Sequence, residues 1–112
     1  MVSMVDAVLS NPNRRIIMKV IVRNMISNSG NKVANQFIIH TKTATYFQSY
    51  RTIIAKKLAS NGKVFLDKSG WNYSVTTGKY RNQFLNENTA ETRKKIESGE
   101  YKLKDLNQDR CA

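Results

Sequence analysis

IIMKVIVRNMISNSGNKVANQFIIH, residues 16–40, decides the fold class. Ile16 to Arg23 is dense in β-branched side chains, whose stiff χ1 torsions suit a pleated strand better than a helix. Asn28-Ser29-Gly30-Asn31 then supplies turn chemistry, since Asn and Ser bond their own backbone and Gly tolerates positive φ. Val33 to His40 alternates Val33, Asn35, Phe37 and Ile39 against Ala34, Gln36, Ile38 and His40, which predicts a second strand. So short a connection predicts an antiparallel hairpin. On the first strand Lys19 and Arg23 share a face with Ile17, Ile21 and Met25, so positive charge sits on the sheet itself.

Working outward, Thr43 to Ser49 reads as a third strand by its aromatic and β-branched content. Tyr50, Ile53, Ile54 and Lys57/Leu58 stand at helical spacing and predict a short helix or turn. Asn61-Gly62 marks a tight turn before a fourth short strand, Lys63 to Asp67. Ser74 is placed to cap a helix from Val75 to Asn86 that buries Thr77, Tyr80 and Phe84, with Leu85 beside them. Gly78 inside it costs about 1 kcal/mol relative to Ala. Asn88-Thr89-Ala90-Glu91 starts a second helix that runs to about Ser98, with Gly99 as its stop. Tyr101 to Leu106 alternates, as an edge strand or an extended segment on the core. Near the N-terminus Val5, Ala7, Val8 and Leu9 form a short amphipathic turn that Pro12 ends.

The expectation is an α+β fold: a small antiparallel sheet of about four strands followed by two C-terminal helices. Residues 1–17 are expected to be an N-terminal extension or leader, 18–107 a single domain, and 108–112 a frayed tail. A chain of 112 residues with 40% hydrophobic content and ten aromatics has room for one modest core. No apolar run reaches the roughly 18–20 residues that span a bilayer, so no membrane partner is expected.

Charge is distributed unevenly. Ala7 to Asn86 holds thirteen Lys or Arg residues and one acid, Asp67, a formal +12. Glu87 to Ala112 holds six bases and six acids. A folded surface normally mixes both signs, and a domain that repels itself this strongly is stabilised by an anionic partner. Nucleic acid is the leading candidate, contacted at its phosphates by Arg14, Arg15, Lys19, Arg23, Lys32, Lys56, Lys57, Lys79 and Arg81. Lys79 and Arg81 lie about 200° apart around their helix and cannot share one face. Tyr46, opposite in phase to Phe47, and Trp71, in a Gly-containing loop, are candidates for stacking on unpaired bases. Core packing is the competing role for both.

Catalysis has little to stand on. His40 is the single imidazole, and no Ser or Cys nucleophile is matched to it with a third orienting group. The sheet region offers Asp67 alone where a metal-dependent nuclease gathers acids around Mg²⁺. One His and one Cys, the near-terminal Cys111, make no zinc set. No catalytic residue, metal site or cofactor is expected.

The stretch Asn35 to Leu85 carries FQSY (Phe47 to Tyr50), Ile54-Ala55 and W-N-Y-S-x-T-T-x-K-Y-x-x-x-F-L (Trp71 to Leu85), and Glu97-Ser98-Gly99-Glu100-Tyr101 follows. With these motifs the chain, over about residues 18–107, resembles small basic proteins of T-even-type tailed phages. The resemblance implies RNA binding by a homodimer that blocks an RNA-cutting toxin–antitoxin defence in the host bacterial cytoplasm. It transfers no functional residue. RNA is therefore expected ahead of DNA. The alternatives are direct inhibition of an acidic host defence protein, and DNA binding or association with the virion.

Overall fold

The computed structural model describes residues 2–11 and 14–107, with side chains from Val20 onward, and one mixed sheet runs through it in sequence order. The strands are β1 (Val2–Asn11), β2 (Arg14–Ile26), β3 (Lys32–His40), β4 (Ala44–Ser49), β5 (Thr52–Leu58) and β6 (Val64–Asp67). Helices α1 (Val75–Leu85) and α2 (Thr89–Glu97) follow, and β7 (Tyr101–Lys104) returns to lie parallel to β6. Every other neighbouring pair is antiparallel. The α+β class and the two helices stand as expected, but the sheet has seven strands rather than about four.

Two elements account for part of the difference. Residues expected to form a short turn near the N-terminus are β1, paired with β2 from Val2 opposite Arg23 to Asn11 opposite Arg14. The β-branched run of β2 needs a partner for its outer N–H and C=O groups, and β1 supplies it. Pro12 and the expected tail at 108–112 lie outside the described residues.

The second correction is at Tyr50 to Leu58, which is not helical. A two-residue turn, Tyr50-Arg51, joins β4 to β5, with Ser49 opposite Thr52. Tyr50 adopts a left-handed φ of 55°, and its N–H donates to the Asn35 carbonyl at 2.7 Å. No Gly or Asn-Gly marks this turn, so its signal is weak in sequence. Further along, Gln48 faces Ile53 while Phe47 faces Ala55, which leaves Ile54 as the extra residue of a β-bulge. Ile54 and Ala55 are consequently both buried. The bulge breaks the two-residue period and imitates helical spacing.

The hydrophobic core lies between the helices and one face of the sheet. Met25, Phe47, Ile54, Ala55, Val64 and Leu66 from the strands meet Tyr80 of α1 and Tyr101 of β7. Phe84 stacks on Phe47 with ring centroids 6.0 Å apart, a pair worth about 0.5–1.5 kcal/mol beyond the area it buries. Helix α1 begins at Ser74, whose hydroxyl accepts from the Thr77 N–H at 3.1 Å, as expected of an N-cap. Its apolar stripe is thin, and polar ties hold it to the sheet as well. Thr77 bonds Ser49 of β4 at 3.1 Å in the interior, and Gln83 donates to the Ile26 carbonyl at 2.7 Å. Helix α2 starts with a full capping box between Asn88 and Glu91. Gly99, at φ 84°, turns the chain into β7.

A polar knot closes the junction between the helices and β7. Glu87, with its side chain 3% exposed, accepts from Lys95 at 2.8 Å, from the Tyr101 hydroxyl at 2.7 Å and from Thr92. Burial by itself raises the Glu87 carboxyl, but the donors outweigh it and hold the group below the ordinary range. Burial and the adjacent carboxylate push Tyr101 up to about 12.

Candidate nucleic-acid interface

The candidate basic residues do not converge on one patch. Arg14, Arg15 and Lys19 lie on the first half of β2, where the backbone alone is described. Arg23 and Lys57 are exposed on the sheet face that carries the helices, and Lys56 projects from the opposite face. Lys32 is exposed at the start of β3, opposite Ile26. Lys79 is exposed on α1, with its ammonium 5.4 Å from the Tyr80 ring centroid.

Arg81 must be withdrawn from the contact set. It is 0% exposed, the outcome of its place about 200° around α1 from Lys79. Its Nη1 donates to the Trp71 carbonyl at 2.6 Å and to Asn72 Oδ1 at 3.2 Å. Its Nη2 donates to Asn82 Oδ1 at 2.8 Å and to Thr89 Oγ1 at 2.9 Å. The acceptors in these four bonds are all neutral. Burial lowers the Arg81 pKa, Glu87 opposes that shift, and Arg93 adds to it. This guanidinium braces the loop before α1 against the start of α2, and no phosphate can reach it.

Trp71 is likewise engaged. It is half-buried, and its ring centroid lies 5.1 Å from the Arg81 guanidinium carbon and 5.4 Å from that of Arg93. Arg81 is buried and held by four hydrogen bonds, so it cannot leave the ring to make room for a base, and the structural role outweighs base stacking here.

Asp67, the one acid among these bases, is 3% exposed and turned to internal work. Its Oδ1 accepts from the Leu106 N–H at 3.0 Å and from Asn107 Nδ2 at 3.1 Å. Asn107 also exchanges two bonds with the Ile53 backbone, at 2.8 and 3.0 Å, and so satisfies the strand beside the bulge. Gly70 is needed above this site, because a Cβ there would stand 2.9 Å from Asp67 Oδ2. Across residues 20–86, eight bases are exposed and Lys56 is half-buried, while no acid reaches the surface.

On the helix-bearing face Arg23 Nη2 bonds His40 Nε2 at 2.8 Å. Desolvation and the adjacent guanidinium both lower the His40 pKa, which keeps the ring neutral and accepting at Nε2. Nδ1 then carries the proton and faces Thr45 Oγ1 at 3.5 Å.

The opposite face has no helix on it among the described residues. Register places Val22, Ile39, Tyr46, Lys56, Phe65 and Lys102 in one row across β2 to β7. The first five are half-buried and Lys102 is exposed. Lys56 reaches over the Tyr46 ring at 5.6 Å, and Lys104 over Phe65 at 4.6 Å. Phe65, Lys102 and Lys104 are functional candidates that sequence reasoning passed over. The two lysines sit in a charge-balanced segment, and Phe65 stands in an apolar run, Val64 to Leu66, that by itself reads as interior. The alternation of Tyr101 to Lys104 was the available signal.

The molecule is thus an α+β protein with helices on one sheet face, an open aromatic and basic second face, and a surface whose central segment is cationic throughout. It belongs to a family of unknown function, DUF8033, whose profile matches residues 20–100. No curated protein and no solved structure matches the chain. No helix among the described residues is long and apolar enough to cross a membrane.

Proposed function

We propose that the protein binds nucleic acid through phosphates, with little sequence preference and with RNA ahead of DNA. The observation that carries this reading is the interior position of Asp67. The central segment's lone counter-charge is consumed inside the fold, so the bases that residues 20–86 present at the surface are matched by no surface acid from the same segment. Phosphates are the ligand class that relieves such self-repulsion, and counterion release drives the association. The phage-like motifs supply a setting: RNA held by a homodimer in the host bacterial cytoplasm, in counter-defence against an RNA-cutting toxin–antitoxin system. A sheet with β1 and β7 at its two edges offers a route to a dimer by edge pairing.

Mobility shift on generic RNA tests this reading. Affinity should fall roughly tenfold or more between about 50 and 200 mM salt, the response of several phosphate contacts. Salt-insensitive binding, or none at micromolar protein, sinks the proposal. A nuclease-treated host lysate separates the competing role: retention of one stoichiometric host protein points to direct protein inhibition instead.

A further inference from the structure

We infer that the open sheet face is a stacking surface for single-stranded nucleic acid, with Tyr46 and Phe65 as base platforms and Lys56, Lys102 and Lys104 as phosphate contacts. The inference rests on the phosphate-binding reading above and adds a site and a strand form to it.

Three observations carry it. The face has no helix on it among the described residues, although Val22, Ile39, Tyr46 and Phe65 lie there in one row. An apolar, aromatic sheet face that remains open on a folded domain marks an interaction surface. Its charge selects the occupant: along the row an aromatic and a lysine alternate, Tyr46, Lys56, Phe65, Lys102. That alternation matches a chain whose flat apolar bases and anionic phosphates also alternate. Finally, Lys56 and Lys104 already cover the two rings, at 5.6 and 4.6 Å. A base that stacks on either ring displaces an ammonium toward a phosphate, so one cation–π contact is exchanged for a stack and an ion pair.

The geometry also excludes a duplex from this role. Tyr46 and Phe65 are two strands apart, about 9–10 Å. A duplex keeps its base faces stacked within the helix, whereas a single strand can splay its bases onto separate rings.

Binding by fluorescence anisotropy, with a 12-nucleotide single-stranded RNA and a duplex of equal length (~12 base pairs) as probes, tests the inference. Wild-type protein should favour the single strand. Tyr46→Leu with Phe65→Leu should lower single-strand affinity by roughly 10- to 100-fold and leave duplex affinity within about twofold. Tyr46→Phe, which keeps the ring, should retain binding. Lys102→Gln with Lys104→Gln, at exposed sites that do not threaten folding, should reduce the slope of log affinity against log salt by about 1.4 on the single strand. Equal losses for both probes, or no loss in a folded double variant, overturn the stacking site while phosphate binding stands. A shift from dimer to monomer in sedimentation of the Leu variant, with RNA affinity intact, overturns it in favour of a second copy on this face. Failure of the wild-type protein to bind either probe refutes the phosphate reading itself.

Discussion

Replacing Arg81 with Met removes the buried guanidinium and leaves a side chain long enough to fill most of its space. The magnitude follows from its partners. The Trp71 carbonyl loses a donor at 2.6 Å, which costs about 1–3 kcal/mol if nothing replaces it. Asn72 is exposed and Asn82 and Thr89 are half-buried, so these acceptors recover water and lose less. Relief of guanidinium desolvation offsets part of the loss, because no carboxylate is hydrogen-bonded to it among the described residues. The balance is a destabilisation of about 2–3 kcal/mol, a large share of the roughly 5–15 kcal/mol that holds a domain together. In a domain of this size that is a fall in Tm of roughly 10–15 °C, readable by thermal circular dichroism. RNA affinity at a temperature where the variant is folded should stay within about twofold of wild type, because a buried cation makes no phosphate contact to lose. A Tm within about 2 °C of wild type combined with a tenfold loss of RNA affinity would refute the reasoning and return Arg81 to the surface.

Gln36 is 0% exposed and neither polar atom of its amide has a hydrogen-bond partner, so Gln36→Met should stabilise the fold by about 1–2 kcal/mol. A lower Tm would mean that the amide is satisfied. Asp67→Asn should lose about 1–2 kcal/mol by weakening the bonds to Leu106 and Asn107. RNA affinity should hardly rise despite the added formal charge, and a large gain would place Asp67 at the interface. Glu87, held below its ordinary 4.5, contributes stability that is full above pH 4.5 and is lost as pH falls through its lower folded value. Tyr101, pushed from 10 to about 12, contributes stability that is full below pH 10 and fades as pH rises through about 12. Urea melts across pH should therefore weaken at both ends, and Glu87→Gln should flatten the acid limb and only part of the alkaline one, because burial is the larger cause of the Tyr101 shift; an unchanged acid limb would dismiss the Glu87 knot as its source.

Much of the fold was legible because its signals are local. The β2–β3 hairpin, the Ser74 cap, the Asn88–Glu91 capping box and the Gly99 stop each depend on residues within a few positions of one another. The β5 strand was not legible, because a bulge at Ile54 and a turn at Tyr50-Arg51 without glycine both depend on cross-strand partners. The candidate site divided in the same way. The surplus of positive charge is a property of composition, but the fate of each cation is not.

By itself the sequence determined the α+β class, the helix ends and a cationic central segment, since periodicity, capping and charge count are written in neighbouring residues. Tertiary structure alone decided that Arg81 is a brace, that Asp67 is an internal clamp and that Lys102 and Lys104 border an open aromatic face. Burial and cross-sheet register set those roles, through contacts between residues far apart in the chain: 39 positions from Asp67 to Leu106 and 54 from Ile53 to Asn107. No local pattern encodes which distant strand becomes a neighbour.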